Sequence, residues 1–491
     1  MTKNIMINNL SFKYDSMVEP IFSDVNLNIN ERWKLALLGR NGRGKTTFLK
    51  CLLHEVVFAG HIDSPLTFKY FPKTISERQG NFYVQDLLLE NNAHKESWEL
   101  EVEVTKMNFS TEILKRPYKS LSGGEKTKVL LIELFLDENA FPLIDEPTNN
   151  LDIHGRNIVS TYLNSKNGFI VVSHDEKFLN SFVDHVLAMN KQSIDLLKGN
   201  IETWRTEKDN ADRAAEEKNN KLKSEVKRLN NVSRQVNVWG NKRENSTKDS
   251  SERRLAAKQM KRSKAIKKRT DEMIEEKKNL IHNTEEETAL KINVTQPVKQ
   301  ILSLRDFTIL KDNQPLFVPI TIDVQPGERL FIEGKNGVGK TTLLEYILGN
   351  KSFETIGEYD VRLPHHISSL KQSMLTEFDY TSFLFNLTNE EKEGFWYLLH
   401  QLGMHRSRFT NQSQPSWSAG EQKKILLAHA LINKNELFVW DEVTNNLDFM
   451  VIDQLIQALN TYQPTMIGID HNEKFVESVA TKRIELTPYI S

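Results

Sequence analysis

The sequence predicts an α/β protein with two tandem domains of one plan, joined by a long antiparallel α-helical hairpin. Two observations carry this prediction. The motifs of residues 1–200 recur in the same order in residues 297–491, which indicates an internal duplication. The segment 201–296 between them contains no proline and a single glycine, Gly240, and its sparse apolar residues recur at helical spacing.

The composition of the 491 residues is that of a soluble globular protein with one exposed charged segment, because 38% are hydrophobic and 27% are charged. No run approaches the ~18 apolar residues that a membrane-spanning helix needs, and the N-terminus lacks the apolar core of a secretory signal. The sole cysteine, Cys51, cannot form an internal disulfide and is predicted to be a packed core thiol. We therefore expect a cytoplasmic protein.

The first domain is predicted to contain a phosphate-binding loop. The apolar residues 35–38 indicate a buried strand, and they run directly into residues 39–47, which match G-x-x-x-x-G-K-[ST] before a helix. In such a loop, backbone N–H groups hold phosphate oxygens, the Lys45 ammonium contacts the outer phosphates and the Thr46 hydroxyl binds Mg²⁺. The nucleotide-binding residues predicted here are Gly39, Asn41, Gly42, Gly44, Lys45, Thr46 and Thr47.

Three further motifs follow in the first domain. Ser-Gly-Gly-Glu at 122–125 precedes a helix with an apolar face. The apolar strand 141–144 ends in two adjacent carboxylates, of which Asp145 is expected to hold Mg²⁺ and Glu146 to polarise the attacking water. The strand 169–172 leads to His174, which we interpret as a sensor of the γ-phosphate.

The second domain repeats these motifs at an offset of 295 to 297 residues. By the same reasoning, Asp441 is predicted to hold Mg²⁺, and Glu442 and His471 are predicted to be catalytic. The phosphate-loop residues are Gly334, Asn336, Gly337, Gly339, Lys340, Thr341 and Thr342, with Thr341 as the second Mg²⁺ ligand. Ser418, Ala419 and Gly420 correspond to Ser122, Gly123 and Gly124.

This set of motifs, present twice, resembles the ABC-type ATPases, and the resemblance covers roughly four-fifths of the chain. It implies that the domains 1–200 and 297–491 pair head-to-tail within one monomer, with Mg²⁺ and ATP as cofactors. It also implies that each ATP lies between the phosphate loop of one domain and the Ser-Gly-Gly motif of the other. Lys45 is then expected to face Ser418, Ala419 and Gly420, and Lys340 to face Ser122, Gly123 and Gly124.

The segment 201–296 is strongly basic in its centre. Residues 221–270 contain 17 lysines and arginines against 4 acidic residues, a net charge of +13 in a chain of net charge −1. Such a segment suits a polyanion such as nucleic acid, although a solvated coiled-coil spacer would show a similar charge run. The hairpin tip is predicted at about 237–251, where Trp239 either stacks on a base or closes the hairpin as an apolar plug. The predicted RNA contacts are Trp239, Lys242, Arg243, Lys248, Arg253, Arg254, Lys258, Lys261 and Arg262.

Twin domains, a charged helical linker and no membrane span resemble the ABC-F subfamily, whose members act on the ribosome. Only 48 positions separate Lys73 from Leu121 and only 20 residues follow His471, so no long arm and no C-terminal extension is expected. A compact armless form resembles the antibiotic-resistance branch of the Lsa and Vga type. The resemblance implies a 70S ribosome partner, entry at the E site, and contact with 23S rRNA and P-site tRNA. It further implies loss of lincosamides, streptogramin A and pleuromutilins from the peptidyl-transferase centre. As partners, it implies neither a membrane nor an obligate protein subunit.

Three other functions compete with this one. A housekeeping ABC-F translation factor has the same domain plan. The ATPase subunit of a membrane transporter can also contain fused twin domains, although a basic helical rod has no evident role there. A DNA-maintenance ATPase also has a coiled-coil arm, which usually interrupts a nucleotide-binding domain instead of joining two.

The two sites are expected to differ from each other. In the resemblance, the glutamine that contacts Mg²⁺ is Gln372 in the second domain, whereas Lys73 stands at the matching place in the first. An ammonium cannot serve as a metal ligand, so the first site is expected to bind Mg²⁺ differently or to turn over more slowly. Tyr14 is expected to stack on adenine. Its counterpart in the second domain, at an offset of 295, is the non-aromatic Ile309, so adenine stacking there is expected to be weaker or to be supplied elsewhere. Ala419 replaces a signature glycine.

Overall fold

A computed structural model describes residues 3–14, 20–190, 193–244, 268, 289–350, 352–371, 379–404 and 417–489. The chain divides into two compact units. One comprises residues 1–201 together with 288–491, and the other comprises residues 202–287. Both predicted nucleotide-binding domains therefore lie in the first unit.

The first domain contains two sheets. A three-stranded antiparallel sheet has the order β2-β1-β4, and a six-stranded sheet has the order β5-β6-β7-β3-β8-β9, parallel except for β9. The strands are β1 Asn4–Phe12, β2 Phe22–Asn30, β3 Lys34–Leu38, β4 Ala59–Asp63, β5 Thr67–Phe71, β6 Ala140–Asp145, β7 Phe169–Val172, β8 His185–Met189 and β9 Ile194–Lys198. The helices are α1 Lys45–Leu52, α2 Glu77–Gly80, α3 Val84–Leu89, α4 Ser97–Lys106, α5 Gly123–Leu136, α6 Ile153–Asn164 and α7 Glu176–Asn180.

The second domain repeats this plan after the linker helix α8, Ile201–Glu244. In its antiparallel sheet β10 pairs with β11, β12 and β14, and its parallel sheet has the order β15-β16-β17-β13-β18. The strands are β10 Leu302–Lys311, β11 Gln314–Pro315, β12 Ile320–Val324, β13 Arg329–Gly334, β14 Glu354–Val361, β15 Ile367–Leu370, β16 Leu437–Asp441, β17 Met466–Ile469 and β18 Lys482–Leu486. The helices are α9 Lys340–Ile347, α10 Tyr380–Asn386, α11 Asn389–Gln401, α12 Ala419–Ile432, α13 Phe449–Tyr462 and α14 Glu473–Val479.

Burial follows the sequence pattern of each strand. In β1 the buried positions include Ile5, Ile7 and Leu10, as expected for an antiparallel strand with one face on the core, whereas every residue of β7 is buried, as in a parallel strand covered on both faces. Helix α1 packs Phe48 into the core between the two sheets of the first domain. Cys51 is fully buried there, which confirms the predicted core thiol.

The linker begins as one continuous helix. Helix α8 runs over 44 residues to Glu244, so the predicted turn at 237–251 is wrong for its first eight positions, including Trp239 and Gly240. A single glycine costs a helix only ~1 kcal/mol relative to alanine, and the lysine, arginine and glutamate that follow favour the helix. The remainder of the predicted tip and the returning arm lie outside the described residues. Within the described chain, no helix is both long and apolar enough to cross a membrane.

Candidate active sites between the two domains

The phosphate loop of the first domain connects β3 to α1, and its glycines are required by geometry. Gly42 and Gly44 have φ of 83° and 93°, the left-handed region that other residues adopt only with strain. A Cβ atom at Gly44 would also overlap Cγ2 of Ile21. The Lys45 ammonium donates to the Gly39 carbonyl at 2.7 Å, so the lysine lies folded over the loop.

An oxygen-rich pair lies beside each loop. The Thr46 hydroxyl donates to Asp145 Oδ2 at 3.3 Å, and in the second domain the Thr341 hydroxyl donates to Asp441 Oδ2 at 3.0 Å. A hydroxyl next to a carboxylate is the donor set that Mg²⁺ prefers, because Mg²⁺ is a hard cation that binds oxygen. The residues at both loops therefore fit a magnesium–nucleotide complex.

Both predicted catalytic glutamates sit at a backbone turn. Glu146 and Glu442 have φ of 50° and 51°, a conformation that is uncommon for a non-glycine residue. The main-chain N–H of each donates to the neighbouring strand, Glu146 to the Val172 carbonyl and Glu442 to the Ile469 carbonyl. Positive φ in a non-glycine residue is concentrated at functional sites. The two sites share this feature, which motif spacing alone did not reveal.

A histidine faces each glutamate. His174 Nε2 lies 3.4 Å from Glu146 Oε1, and His471 Nε2 lies 3.7 Å from Glu442 Oε1. Burial, reinforced by the adjacent aspartate, raises the pKa of Glu146 to about 8 and that of Glu442 to about 7. Burial lowers the pKa of each histidine to about 3, so both imidazoles are neutral near pH 7.

The raised pKa of Glu146 makes stability without nucleotide depend on pH. Between pH 4.5 and about 8 the unfolded chain releases a proton that the folded protein keeps, so this group lowers stability progressively as pH rises through that range. Glu146→Gln cannot ionise, and we expect its melting temperature to match the parent near pH 5 and to exceed it at pH 8. Thermal unfolding between pH 5 and 8.5 measures this. Glu442→Gln is the matched control, with a smaller gain because the pKa of Glu442 rises only to about 7. A gain that does not vary with pH would contradict the assignment.

The two domains meet head-to-tail at both loops. In the first loop the Asn41 main-chain N–H donates to Asp448 Oδ2 at 3.1 Å, and in the second the Asn336 main-chain N–H donates to Asp152 Oδ2 at 3.1 Å. The side-chain amides donate to main-chain carbonyls of the opposite domain, at 2.7 Å for Asn41 and 3.3 Å for Asn336. The interface therefore has near two-fold symmetry, as the resemblance implied.

The Ser-Gly-Gly motif of the first domain and the Ser-Ala-Gly motif of the second each start a helix at this interface. Ser122 and Ser418 are the N-cap residues of α5 and α12, and each forms a capping box with the glutamate three positions later. A Cβ atom at Gly420 would overlap the Asn41 amide of the opposite domain, so this motif packs directly against the first loop.

Sequence reasoning missed the residues that join the domains. Asp152 and Asp448 end the motif Asp-Glu-x-Thr-Asn-Asn-Leu-Asp, which occurs in both domains, but no role was assigned to them. Asp448 is buried and ion-paired with Lys424 at 2.8 Å. Burial opposes ionisation of Asp448, but Lys424 outweighs it and holds the pKa of Asp448 well below its usual range. The repetition of an acidic residue at this place was the signal that could have identified it.

The first site departs from the second at the position of the expected metal-binding glutamine. The Lys73 ammonium forms an ion pair with Glu133 of α5 at 3.1 Å. The Tyr70 hydroxyl instead reaches the metal-binding region and donates to Asp145 Oδ2 at 3.0 Å. Ser369 takes the place of Tyr70 in the second domain, since each pairs with the second residue before the metal-binding aspartate. Gln372 lies outside the described residues.

The proposed equivalence of Tyr14 and Ile309 is wrong. The Phe12 carbonyl accepts from the Ile21 N–H, and the Ile309 carbonyl accepts from the Leu316 N–H in the same way. Ile309 therefore matches Phe12 and is fully buried. The loop after Phe12 is two residues longer than the loop after Ile309. Matching residues of the two domains are therefore 297 positions apart before this loop and 295 positions apart after it, and the prediction used the second value.

The residue of the second domain that corresponds to Tyr14 is Lys311, at the end of β10. The prediction that the second domain lacks an aromatic residue there stays in force. In the first domain the Tyr14 hydroxyl lies 3.1 Å from Thr47 Oγ1, and its ring packs edge-on against Phe12. Tyr14 thus lies beside the phosphate loop with 39% of its surface exposed.

The predicted RNA contacts fall on the linker. Trp239, Lys242 and Arg243 lie on the helical backbone of α8. Lys248, Arg253, Arg254, Lys258, Lys261 and Arg262 lie outside the described residues.

Each phosphate loop lies beside a hydroxyl–carboxylate pair, and each is contacted by the opposite domain. These features define a nucleotide-hydrolysing protein with paired sites. Residues 22–149 and residues 317–445 each match the family described as ABC transporter. The matched region is the ATPase domain of that family. The chain belongs to this family, and it is an ATPase with two repeats of that domain.

The similarity to known proteins extends over nearly the whole chain. The chain is 26% identical over 502 residues to the ribosome protection protein VmlR of Bacillus subtilis, covering 99% of this chain and 87% of the relative. It is 24% identical over 538 residues to the probable ATP-binding protein YbiT of Escherichia coli O157:H7, covering 99% and 96%. The crystal structure of the archaeal ribosome recycling factor aABCE1 with stalk protein aP1 matches with a TM-score of 0.57 at 16% identity, covering 97% of this chain and 87% of that chain. This structural match confirms the fold of two tandem domains.

Proposed function

We propose that this protein is a ribosome-binding ATPase of the ABC-F type that protects the ribosome from antibiotics. In this proposal it enters the E site of the 70S ribosome in the cytoplasm and directs its linker toward the P-site tRNA and the 23S rRNA of the peptidyl-transferase centre. Lincosamides, streptogramin A and pleuromutilins bound there are then lost. The observation that carries the proposal is the similarity to a ribosome protection protein over 99% of this chain, linker included.

The ends of the linker support a mechanical role. Ile201, the first residue of α8, is fully buried, and its N–H donates to Asn180 Oδ1 at 3.0 Å. At the other end of the linker, Leu290 and Ile292 are buried in the core of the second domain. Because both ends are anchored, closure of the two domains around ATP would change the separation of the linker arms. Nucleotide state would then select the shape that binds the ribosome.

The basic centre of the linker supports an RNA partner. Phosphate contacts from lysine and arginine are strong and largely independent of base sequence, as a protein that binds ribosomal RNA requires. The net charge of +13 over residues 221–270 lies between two complete domains and interrupts neither. This placement favours a ribosome partner over a DNA-maintenance ATPase, whose arm usually lies within a domain.

Co-sedimentation with 70S ribosomes tests the proposal. The variant Glu146→Gln with Glu442→Gln should retain ATP and stay in the closed form, so we expect it to pellet with ribosomes in stoichiometric amounts with ATP and not without it. The matched control adds Lys45→Ala and Lys340→Ala, which remove the phosphate-binding ammonium groups and should abolish pelleting. Absence of pelleting, with hydrolysis intact in the parent protein, would redirect attention to membrane or DNA partners.

Drug tolerance separates the resistance role from a housekeeping role. Expression in a susceptible bacterium should raise tolerance to lincosamides, streptogramin A and pleuromutilins, and the non-hydrolysing double variant should not. Unchanged tolerance combined with slow growth after gene deletion would instead identify a housekeeping translation factor.

A further inference from the structure

A buried arginine joins the two histidine loops across the domain interface. Arg156 lies on α6 of the first domain and is 8% exposed. Its Nη1 donates to Asp175 Oδ2 at 2.7 Å and to the main-chain carbonyl of His471, in the second domain, at 2.8 Å. The rest of the guanidinium is also occupied, because Nε donates to the Leu151 carbonyl at 3.2 Å and Nη2 to the Thr148 carbonyl at 3.4 Å.

These contacts place Arg156 between the two catalytic centres. Asp175 directly follows His174, which faces Glu146 of the first site. His471 faces Glu442 of the second site. The guanidinium of Arg156 thus contacts the histidine loop of the first site, in its own domain, and the main chain of His471 at the second site, in the opposite domain.

The second domain contains no reciprocal contact of this kind at the matching positions. Ile452 stands four residues after the N-cap aspartate of α13, as Arg156 stands four residues after that of α6, and a hydrocarbon side chain cannot donate a hydrogen bond. Asn472 replaces Asp175, and both cap the following helix by accepting from a main-chain N–H at 3.0 Å. The arginine–carboxylate pair of one domain is therefore a neutral pair in the other, and the hydrogen bond to the opposite histidine loop has no counterpart at these positions. His174 contacts the second domain through an edge-on packing of its ring against Phe449 instead.

We propose that Arg156 is a positioning residue that makes hydrolysis at the second site depend on contact with the first domain. The charge-assisted hydrogen bond fixes the main chain of His471, and with it the imidazole that faces Glu442. When the domains separate, the bond to His471 breaks while the pair with Asp175 remains within the first domain. The second site is then competent only in the closed form, whereas His174 does not depend on such a bond from Ile452.

The neutral pair of the second domain supplies the test variant. Arg156→Ile with Asp175→Asn copies Ile452 and Asn472, retains the helix cap and leaves no buried carboxylate unpaired. The paired substitution is combined with Glu146→Gln, which leaves only the second site active, and separately with Glu442→Gln, which leaves only the first site active. Single-turnover ATP hydrolysis is then measured for each of the two proteins. We expect the rate constant of the second site to fall on the order of tenfold, since small misplacements of catalytic groups have effects of that size or more, with ATP affinity unchanged. The rate constant of the first site should change less than about twofold, because Asp175→Asn keeps the cap of α7 that follows His174, as Asn472 keeps the cap of α14.

Equal losses at both sites, or no loss at the second, would overturn the proposal, because a merely structural arginine has no preference between the sites. Arg156→Lys, measured in the same two backgrounds, covers the case in which the paired substitution fails to fold. A lysine retains the charge but lacks the Nε and Nη2 donors that hold the guanidinium on the Leu151 and Thr148 carbonyls, and so does not fix the nitrogen that serves Asp175 and His471. A loss confined to the second site supports the proposal, and a loss shared by both sites contradicts it.

Discussion

Replacing both glutamates, Glu146→Gln with Glu442→Gln, should reduce steady-state ATP hydrolysis by at least roughly 10²-fold while ATP binding persists, which is the scale of a lost general base. The glutamine side chain is nearly the same size but cannot accept a proton from the attacking water. The loops that hold the phosphates are untouched, because neither glutamate contributes to them. Phosphate release under saturating ATP, together with equilibrium binding of a fluorescent ATP analogue, measures the two quantities separately.

The single variants reveal how strongly the sites depend on each other. If the sites were independent and equal, each single substitution would leave about half of the activity. Because each glutamate site is completed by the opposite domain, we expect each single variant to lose more than half. Retention of a tenth or more of parental activity in the double variant would show that another group polarises the water.

The parts of the fold that the sequence predicted are those built from local chemistry. The segment from β3 through the loop at 39–44 to α1 is continuous in the chain, and its glycines must adopt left-handed φ. The strand that ends at Asp145 and the strand that directly precedes Ser173 are short and are apolar up to these polar residues, and β7 is fully buried. The motif and the strand and helix that flank it can therefore be predicted from neighbouring residues alone, without knowledge of contacts with distant residues.

The contacts that complete the sites could not be predicted in this way. Asn41 and Asp448 are 407 positions apart, and only the folded interface shows that one donates to the other. The pairing of Lys73 with Glu133 on α5 required a helix position that motif spacing does not define. The match of Ile309 to Phe12 required strand register, since loops of unequal length displace any fixed offset.

Gly420 should be far less tolerant of alanine than Gly124, although both occupy the same place in their motifs. A Cβ atom at Gly420 would overlap the Asn41 amide and lie 2.8 Å from the Asn446 main-chain oxygen, whereas at Gly124 the nearest atom, the Asn150 main-chain oxygen, is 3.2 Å away. The Asn446 main-chain oxygen lies in the same domain as Gly420 and cannot rotate aside, so the Asn41 amide must move away and lose its hydrogen bond to that oxygen. Gly420→Ala therefore weakens the contact between the loop of the first site and the opposite domain. We expect Gly420→Ala to lower ATPase activity by about tenfold or more, and Gly124→Ala by about threefold or less, in line with the loss of transition-state geometry.

Domain closure can be followed independently of hydrolysis in these glycine variants. Lys177 of α7 and Glu473 of α14 form an ion pair across the interface, so Lys177→Cys with Glu473→Cys places two thiols where the domains meet. The native Cys51 does not interfere, because it is fully buried and burial raises the pKa of its thiol to about 12. ATP should promote cross-linking of the introduced pair in the parent and in Gly124→Ala, and much less in Gly420→Ala. Equal cross-linking in all three, with activity still lost in Gly420→Ala, would place the defect in the chemistry of the first site instead of in closure.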